Sequence, residues 1–203
     1  MTRILPAIIL LMALAAATTA RAAEPDPSET ATAIFASGCF WCAESDFEKV
    51  PGVLEAVSGY TGGSDPDPTY KEVSAGGTGH VEAVRLRYDP EVVSYRQLLD
   101  VYWRNVDFLD AGGQFCDRGD QYRSAIFYLD AAQRQAAEET KAELAAAGSW
   151  DRPIATEIRA ATAFHPAEDY HQDYAETHPL QYRFYRWNCG RDARLAELAA
   201  RTS

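Results

Sequence analysis

The chain has 203 residues, 47% hydrophobic and 24% charged. That size and mixture support one domain with a real core and exclude extensive disorder. Acidic residues outnumber basic ones 30 to 19, for a net charge of −11, which excludes a protein that binds nucleic acid by neutralising phosphates and otherwise speaks only to solubility and association.

In chain order, Arg3 precedes an apolar run from Ile4 to Ala17, and Ala20, Arg21 and Ala22 give the small-x-small pattern of a signal peptidase site. The run is shorter than the roughly 20 residues that a membrane span needs. Residues 1–22 are therefore expected to be a signal peptide, with export to a bacterial periplasm and no membrane attachment after cleavage. Cleavage would remove Arg3, Arg21 and no acid, leaving a chain two charges more negative than −11. It would also remove both methionines, Met1 and Met12, which suits oxidising surroundings because methionine oxidises readily. Residues 23–31, around "EPDPSET", read as a polar linker, and residues 32–203 as the one folded domain.

Ala31 to Ala36 is a short apolar strand candidate. Gly38 turns the chain, and Cys39 to Lys49 reads as a helix with Phe40, Ala43 and Phe47 at helical spacing. Pro51 and Gly52 end it. A second strand over Val53 to Gly59 leads into a Gly- and Pro-rich loop and a short helix near Tyr70. "HVEAVRLRY" is a strand stopped by Asp89 and Pro90, and Ser94 with Gln97 has capping-box spacing for the next helix. "LDAGGQFCDRGDQ" reads as a loop and "YRSAIFYLD" as a strand. Asp130 caps a long alanine-rich helix ending at Gly148. A strand over Ile154 to Phe164 and a final helix after Pro166 complete the order. Strands and helices mix without a fixed repeat, so the expected architecture is a single α+β domain, a mixed sheet with helices packed mainly on one side.

Four cysteines are present, Cys39, Cys42, Cys116 and Cys189. In an oxidising compartment an even number suggests disulfides, but spacing does not choose among the three pairings. Cys39 falls at the first turn of a helix, where unpaired N–H groups and the helix dipole favour thiolate. Cys42, one turn on, shares its helix face. Three chemistries compete here. A thioredoxin-like C-x-x-C is opposed by the bulky Phe40 and Trp41 between the cysteines. Zinc needs four N or S ligands, and Cys116 and Cys189 are isolated rather than paired, so no metal is expected. The third is a single reactive cysteine with a helper.

The segment "GCFWCAE" resembles the active-site segment of the A-type peptide methionine sulfoxide reductases. Four further stretches resemble that family in order: "SGYTGG" with Tyr70 beyond it, "GHVEAVRLRYDP", "DRGDQYRSAIF" and "AEDYHQDY". The resemblance implies a ferredoxin-like α/β plait and reduction of the S epimer of methionine sulfoxide, with no bound cofactor and an external thioredoxin-like dithiol as reductant. Its substrates would be oxidised proteins or peptides. It implies Cys39 as nucleophile, Glu82 as acid, Tyr70 and Tyr122 as donors to the sulfoxide oxygen, Asp117 in the site, and Phe40 with Trp41 as the slot for the substrate methyl.

The residues themselves allow other readings. Strand alternation puts Glu82 on one face with Val84, Leu86 and Tyr88, where desolvation would keep it protonated and able to donate. The alternative is a carboxylate paired with Arg85 or Arg123. Most of eleven tyrosines pack without catalytic duty, Asp117 also suits a turn, and Phe40 also suits a core. Glu168, Tyr170 and His171 read as a structural network, and His165 stands where the family usually has an aromatic. The cysteine that resolves a sulfenic acid on Cys39 is open. Many relatives carry one in a Gly-rich tail, whereas this tail reads "YRFYRWNCGRDARLAEL". Cys42 is the first candidate because it needs no motion, and Cys189 the second. A general thiol-disulfide oxidoreductase using Cys39 and Cys42 is the alternative function.

Overall fold

The first strand, β1 (Ala31–Ser37), sets the sidedness of the molecule. Ala33 and Phe35 enter the larger core, while Ile34 and Ala36 enter a smaller one on the opposite face, the two-residue alternation of a pleated strand. The structure is a computed structural model that describes residues 29–201. The expected signal peptide and most of the linker lie outside the described residues.

The elements that follow are α1 (Phe40–Phe47), β2 (Val53–Thr61), α2 (Tyr70–Ala75), β3 (Val81–Tyr88) and α3 (Tyr95–Arg104). Then come the short hairpin β4 (Gly113–Gln114) and β5 (Asp117–Arg118), β6 (Ser124–Tyr128), α4 (Ala131–Ala147), β7 (Glu157–Ala160) and β8 (His165–Pro166). The chain closes with α5 (Tyr174–Thr177), α6 (Pro179–Asn188) and α7 (Arg191–Ala199). The main sheet has the order β7-β6-β1-β3-β2-β8. Its four central strands are antiparallel to one another, and β1-α1-β2-β3-α3-β6 is the β-α-β-β-α-β path of a ferredoxin-like plait. β7 joins one edge in parallel and β8 the other in antiparallel. This is the α+β plait the sequence resemblance implies.

The larger core lies between the sheet and the helices. Phe35 stacks on Phe47 and on Tyr102, each at 5.2 Å between ring centroids. Burying one such ring contributes roughly 1.5–3 kcal/mol. Local signals agree with this packing. Ser94 and Gln97 close a capping box at α3, and the Asp130 carboxylate accepts the Gln133 N–H at 2.8 Å to start α4. Gly148 ends that helix in extended backbone, where a Cβ would meet the Trp150 ring at 2.3 Å.

Three expectations are corrected. The loop after α3 holds the β4–β5 hairpin. The strand expected from Ile154 to Phe164 is paired only over β7. The single helix expected after Pro166 is a 3-10 turn at Asp169–His171 followed by three α-helices. Pro179 at the first turn of α6 and Gly190, at φ +69°, separate the pieces.

Candidate active site

Gly38 makes the site possible. Its φ of +83° turns β1 into α1, and a Cβ there would lie 2.5 Å from the Gln114 Cβ. Cys39 follows as the N-cap of α1, with its carbonyl accepting the Cys42 N–H at 3.1 Å. The Phe40 N–H points instead at Glu82 Oε2, 3.0 Å away. A helix-end donor that position alone would offer to the thiol is thus taken by Glu82.

That arrangement overturns the expected lowering of Cys39. Burial pushes its thiol well above the ordinary range, and the Cys42 hydrogen bond and the Cys42 and Glu82 charges push the same way. Cys42 is lowered to about 7, first by the hydrogen bond from Cys39 and then by the charges of Arg191 and Arg186, against its own burial.

Glu82 sits on β3, 2% exposed, on the face whose Val84, Leu86 and Tyr88 join the larger core. Burial raises its carboxyl to about 8. The Phe40 amide opposes that shift, and the charges of Asp117 and Cys42 add to it. It carries its proton at neutral pH. No ion pair to Arg85 or Arg123 forms; Arg123 pairs with Glu157 at 2.9 Å.

Tyr70, at the start of α2, and Tyr122, in the 3-10 turn after β5, are raised by burial and then by the Glu82 charge. Both remain phenols able to donate. Asp117, on β5, is raised by burial and drawn back by the Tyr185 hydrogen bond and Arg191. These groups converge on a small cleft of about 90 Å³. Cys39, Glu82, Tyr70, Tyr122, Asp117, Phe40 and Trp41 line it, together with Tyr185; the resolving candidates Cys42 and Cys189 are not among its lining residues. Phe40 belongs to the core as well, at 1% exposure, so slot wall and core packing are one role. Trp41 stacks on Tyr174 at 3.8 Å and donates its indole N–H to His171 Nδ1 at 3.1 Å.

The expected structural network stands behind this wall. The Glu168 carboxylate accepts the Tyr70 N–H and the Tyr60 hydroxyl, both at 2.9 Å. His171 is buried and lowered by that burial, so it is neutral and accepts from Trp41. Tyr170 lies at the surface and packs only its ring near His171, 4.2 Å between centroids. His165 pairs with Tyr60 across the β2–β8 edge.

The cysteines divide unexpectedly. Cys39 and Cys42 are free and buried. Cys116 and Cys189 form a disulfide across 73 residues, so Cys189 is not a free thiol in this state. Two residues escaped the sequence reading. Tyr185, on α6, donates its hydroxyl to Asp117 Oδ2. Arg191, 2% exposed, donates to the Ser37 carbonyl at 3.2 Å and lies over the Phe115 ring. The "NCGRD" stretch holds the Arg191 signal beside a cysteine, but nothing local marks it as buried. Among the described residues, two groupings of side chains are close enough to share an ion: Cys116, Asp117 and Cys189, and Glu44, Glu48 and Asp173. In the first, the sulfurs are bonded to each other.

A family sequence model described as "Peptide methionine sulfoxide reductase" matches residues 31–202. The chain is 50% identical over 165 residues to the peptide methionine sulfoxide reductase MsrA of Bacillus licheniformis, covering 81% of this chain and 91% of that one. The reduced form of Mxr1 from Saccharomyces cerevisiae superposes with a TM-score of 0.70 at 31% identity, over 77% of this chain and 90% of that one. Methionine sulfoxide reductase A of Corynebacterium diphtheriae superposes at 0.66 with 36% identity, over 75% and 76%. The yeast protein in complex with Trx2 superposes at 0.53 with 25% identity, over 76% and 91%.

Proposed function

The chain belongs to the A-type peptide methionine sulfoxide reductase family and reduces methionine sulfoxide in peptides, and from that premise we propose how its own residues divide the work. The Cys39 thiolate attacks the sulfur of the S epimer. Glu82 gives its proton to the sulfoxide oxygen, which Tyr70 and Tyr122 hold by hydrogen bonds. Phe40 and Trp41 wall the slot that takes the methyl. Methionine leaves, and the oxygen stays on Cys39 as a sulfenic acid. Asp117 orders the cleft through the Tyr185 hydroxyl it accepts. The observation that carries this reading is Glu82: a buried, protonated carboxyl hydrogen-bonded to the residue next to Cys39. A carboxyl held neutral is the donor that a departing sulfoxide oxygen needs.

Cys42 resolves the sulfenic acid. It lies one helical turn from Cys39, and its thiolate is favoured near neutral pH. The two sulfurs join and water leaves, with the sulfenic hydroxyl and one proton supplying it. Cys189, the second candidate, is bonded to Cys116 and can attack only after that bond is reduced. The Cys39–Cys42 disulfide is then returned to thiols by an external thioredoxin-like dithiol, a reading supported by the yeast relative's complex with Trx2. No step calls on a bound cofactor. The buried Glu82 carboxyl and the phenols of Tyr70 and Tyr122 in the same cleft as Cys39, groups that disulfide exchange does not need, favour this reading over a general thiol-disulfide oxidoreductase.

Export to a periplasm belongs to the same proposal, supported by the apolar run and the Ala20, Arg21, Ala22 pattern. Among the described residues no helix is long and apolar enough to cross a membrane. N-terminal sequencing of the protein from its host tests export, and an intact Met1 would reverse it.

The test of the reaction is direct. Protein, dithiothreitol and each epimer of an acetylated methionine sulfoxide are mixed and methionine is measured. Turnover of the S epimer alone is expected. Absence of methionine, or release of thiols from protein disulfides in its place, would contradict the reading.

A further inference from the structure

The Cys116–Cys189 disulfide sits against a carboxylate. Its two sulfurs and an oxygen of Asp117 lie within 4.8 Å of one another. Asp117 Oδ1 is 3.8 Å from Cys116 Sγ, and Oδ2 is 3.8 Å from Cys189 Sγ. While the sulfurs are bonded to each other, they are not ligands. Once an external dithiol reduces them, two thiols and a carboxylate face one point. We propose that reduced Cys116 and Cys189, with Asp117, form a zinc site that replaces the disulfide as the clamp between the β4–β5 hairpin and α6.

The change balances in two steps. The dithiol gives up two electrons and two protons, its own sulfurs join, and the Cys116–Cys189 bond becomes two thiols. The ion then takes both sulfurs as thiolates, and their two protons pass to solvent. Zinc itself changes no oxidation state.

The surroundings fit that assignment. Zinc holds sulfur at about 2.3 Å and a carboxylate oxygen at about 2.1 Å in a tetrahedron, which sets sulfur and oxygen about 3.6 Å apart. Both sulfur–oxygen separations, at 3.8 Å, are close to that already, and only the sulfurs have to part. The ligands also have partners behind them. The Cys116 N–H donates to Cys189 Sγ at 3.2 Å, a contact that favours thiolate. The Tyr185 hydroxyl donates to Asp117 Oδ2 and leaves Oδ1 for the ion. Donors of this kind orient metal ligands. Two thiolates select a soft or borderline ion over calcium or magnesium, and the carboxylate sets zinc ahead of copper(I). Three side chains leave the fourth position to water. Cys116 is exposed and Cys189 half-buried, so dithiol and ion both arrive from solvent. The other pair of cysteines lacks a third ligand. Both are buried, and Glu82, beside their turn, keeps its proton and holds the Phe40 amide.

The test uses the full chain with Cys39→Ser and Cys42→Ser, which removes the rival thiols. One sample keeps the Cys116–Cys189 bond, and the other is reduced with a phosphine and desalted without air. Both are titrated with cobalt(II), then with zinc. The reduced sample is expected to take one cobalt per chain, with a sulfur-to-cobalt charge-transfer band in the near ultraviolet that zinc abolishes. The oxidised sample shows no such band. Adding Cys189→Ser removes it, and adding Asp117→Asn weakens binding about 10- to 100-fold or more. Zinc raises the melting midpoint of the reduced sample and leaves that of the oxidised one unmoved. Should the double serine variant not fold, wild-type protein is reduced, loaded with zinc and treated with iodoacetamide. Peptide masses are then expected to show Cys116, exposed to solvent, protected by zinc and labelled without it. Cobalt bound without a sulfur band, equal binding by the oxidised sample, or binding untouched by Cys189→Ser or Asp117→Asn would each overturn the proposal, as would Cys116 labelled despite zinc. None of these readouts involves methionine sulfoxide, so the result stands apart from the reaction scheme.

Discussion

Cys39 and Cys42 lie in one buried helical turn and are free, while Cys116 and Cys189 lie 73 residues apart and are bonded. Spacing alone does not choose between this arrangement and the other pairings. The environments explain the difference. In the buried pair Cys39 is raised by burial and Cys42 is lowered to about 7 by the Cys39 hydrogen bond and the charges of Arg191 and Arg186, and Cys39 lines a cleft with an acid and two phenols. The second pair, with Cys116 exposed at the surface, joins the β4–β5 hairpin to the end of α6 and clamps the frame around that cleft. In the proposed scheme one pair does chemistry and the other holds the groups that serve it.

The sharpest way to break this comparison is to remove one sulfur from each pair. Cys39→Ser should lower turnover of the S epimer by at least about 10⁴-fold, whereas Cys116→Ser should leave single-turnover methionine formation within about tenfold of the original. Equal losses in a rapid-quench assay would erase the distinction.

Next in size is Glu82→Gln, expected to lower kcat by about 10²- to 10⁴-fold, since the amide cannot give up a proton. The wild-type rate should fall as pH rises through about 8, where Glu82 ionises. The same carboxyl makes a stability prediction of definite sign. Its folded-state value of about 8 lies above its ordinary 4.5, so between those values the native state keeps a proton that the unfolded chain has lost. Stability contributed by this group is fully present below about 4.5 and is lost as pH rises toward 8, by up to about 5 kcal/mol. Urea melts of Glu82→Gln should therefore flatten in that window, and a variant that melts with the wild-type pH slope would remove burial as the cause.

Cys42→Ser should spare the first turnover and slow repeated turnover with a dithiol protein by about tenfold or more, the partner reaching a sulfenic acid in place of a disulfide. Undiminished cycling, with an internal disulfide still formed, would pass the duty to Cys189. The smallest expected effect on rate comes from Cys116→Ala combined with Cys189→Ala. Its cost should appear as stability, about 2–5 kcal/mol for a cross-link closing so long a loop, read from urea midpoints.

Much of the chemistry was legible in the sequence because it lies in short ordered stretches. "GCFWC" set Cys39, Cys42 and the slot residues on one turn, and the alternation of "HVEAVRLRY" placed Glu82 on an apolar face. The plait followed from the resemblance, not from periodicity. What escaped notice arises from tertiary placement. Tyr185 belongs to a helical stretch with other aromatics, and only the packing of α6 over the cleft singles it out. Arg191 looks like any surface arginine until α7 buries it. The Cys116–Cys189 pairing joins elements that spacing cannot relate. The thiol of Cys39 was misread for the same reason: its place at a helix start argues for a lowered value, while burial and the diversion of the Phe40 amide to Glu82 raise it.

One measurement tests the division between the two pairs most directly. Enzyme with Cys39 and Cys42 reduced and Cys116–Cys189 intact is given excess S epimer without reductant, quenched, alkylated and mapped by mass spectrometry. The expected product is one methionine per chain, a new Cys39–Cys42 disulfide and an unchanged Cys116–Cys189 bond. Methionine formed with Cys39 still open to alkylation, or a bond from Cys39 to Cys116 or Cys189, would contradict the account.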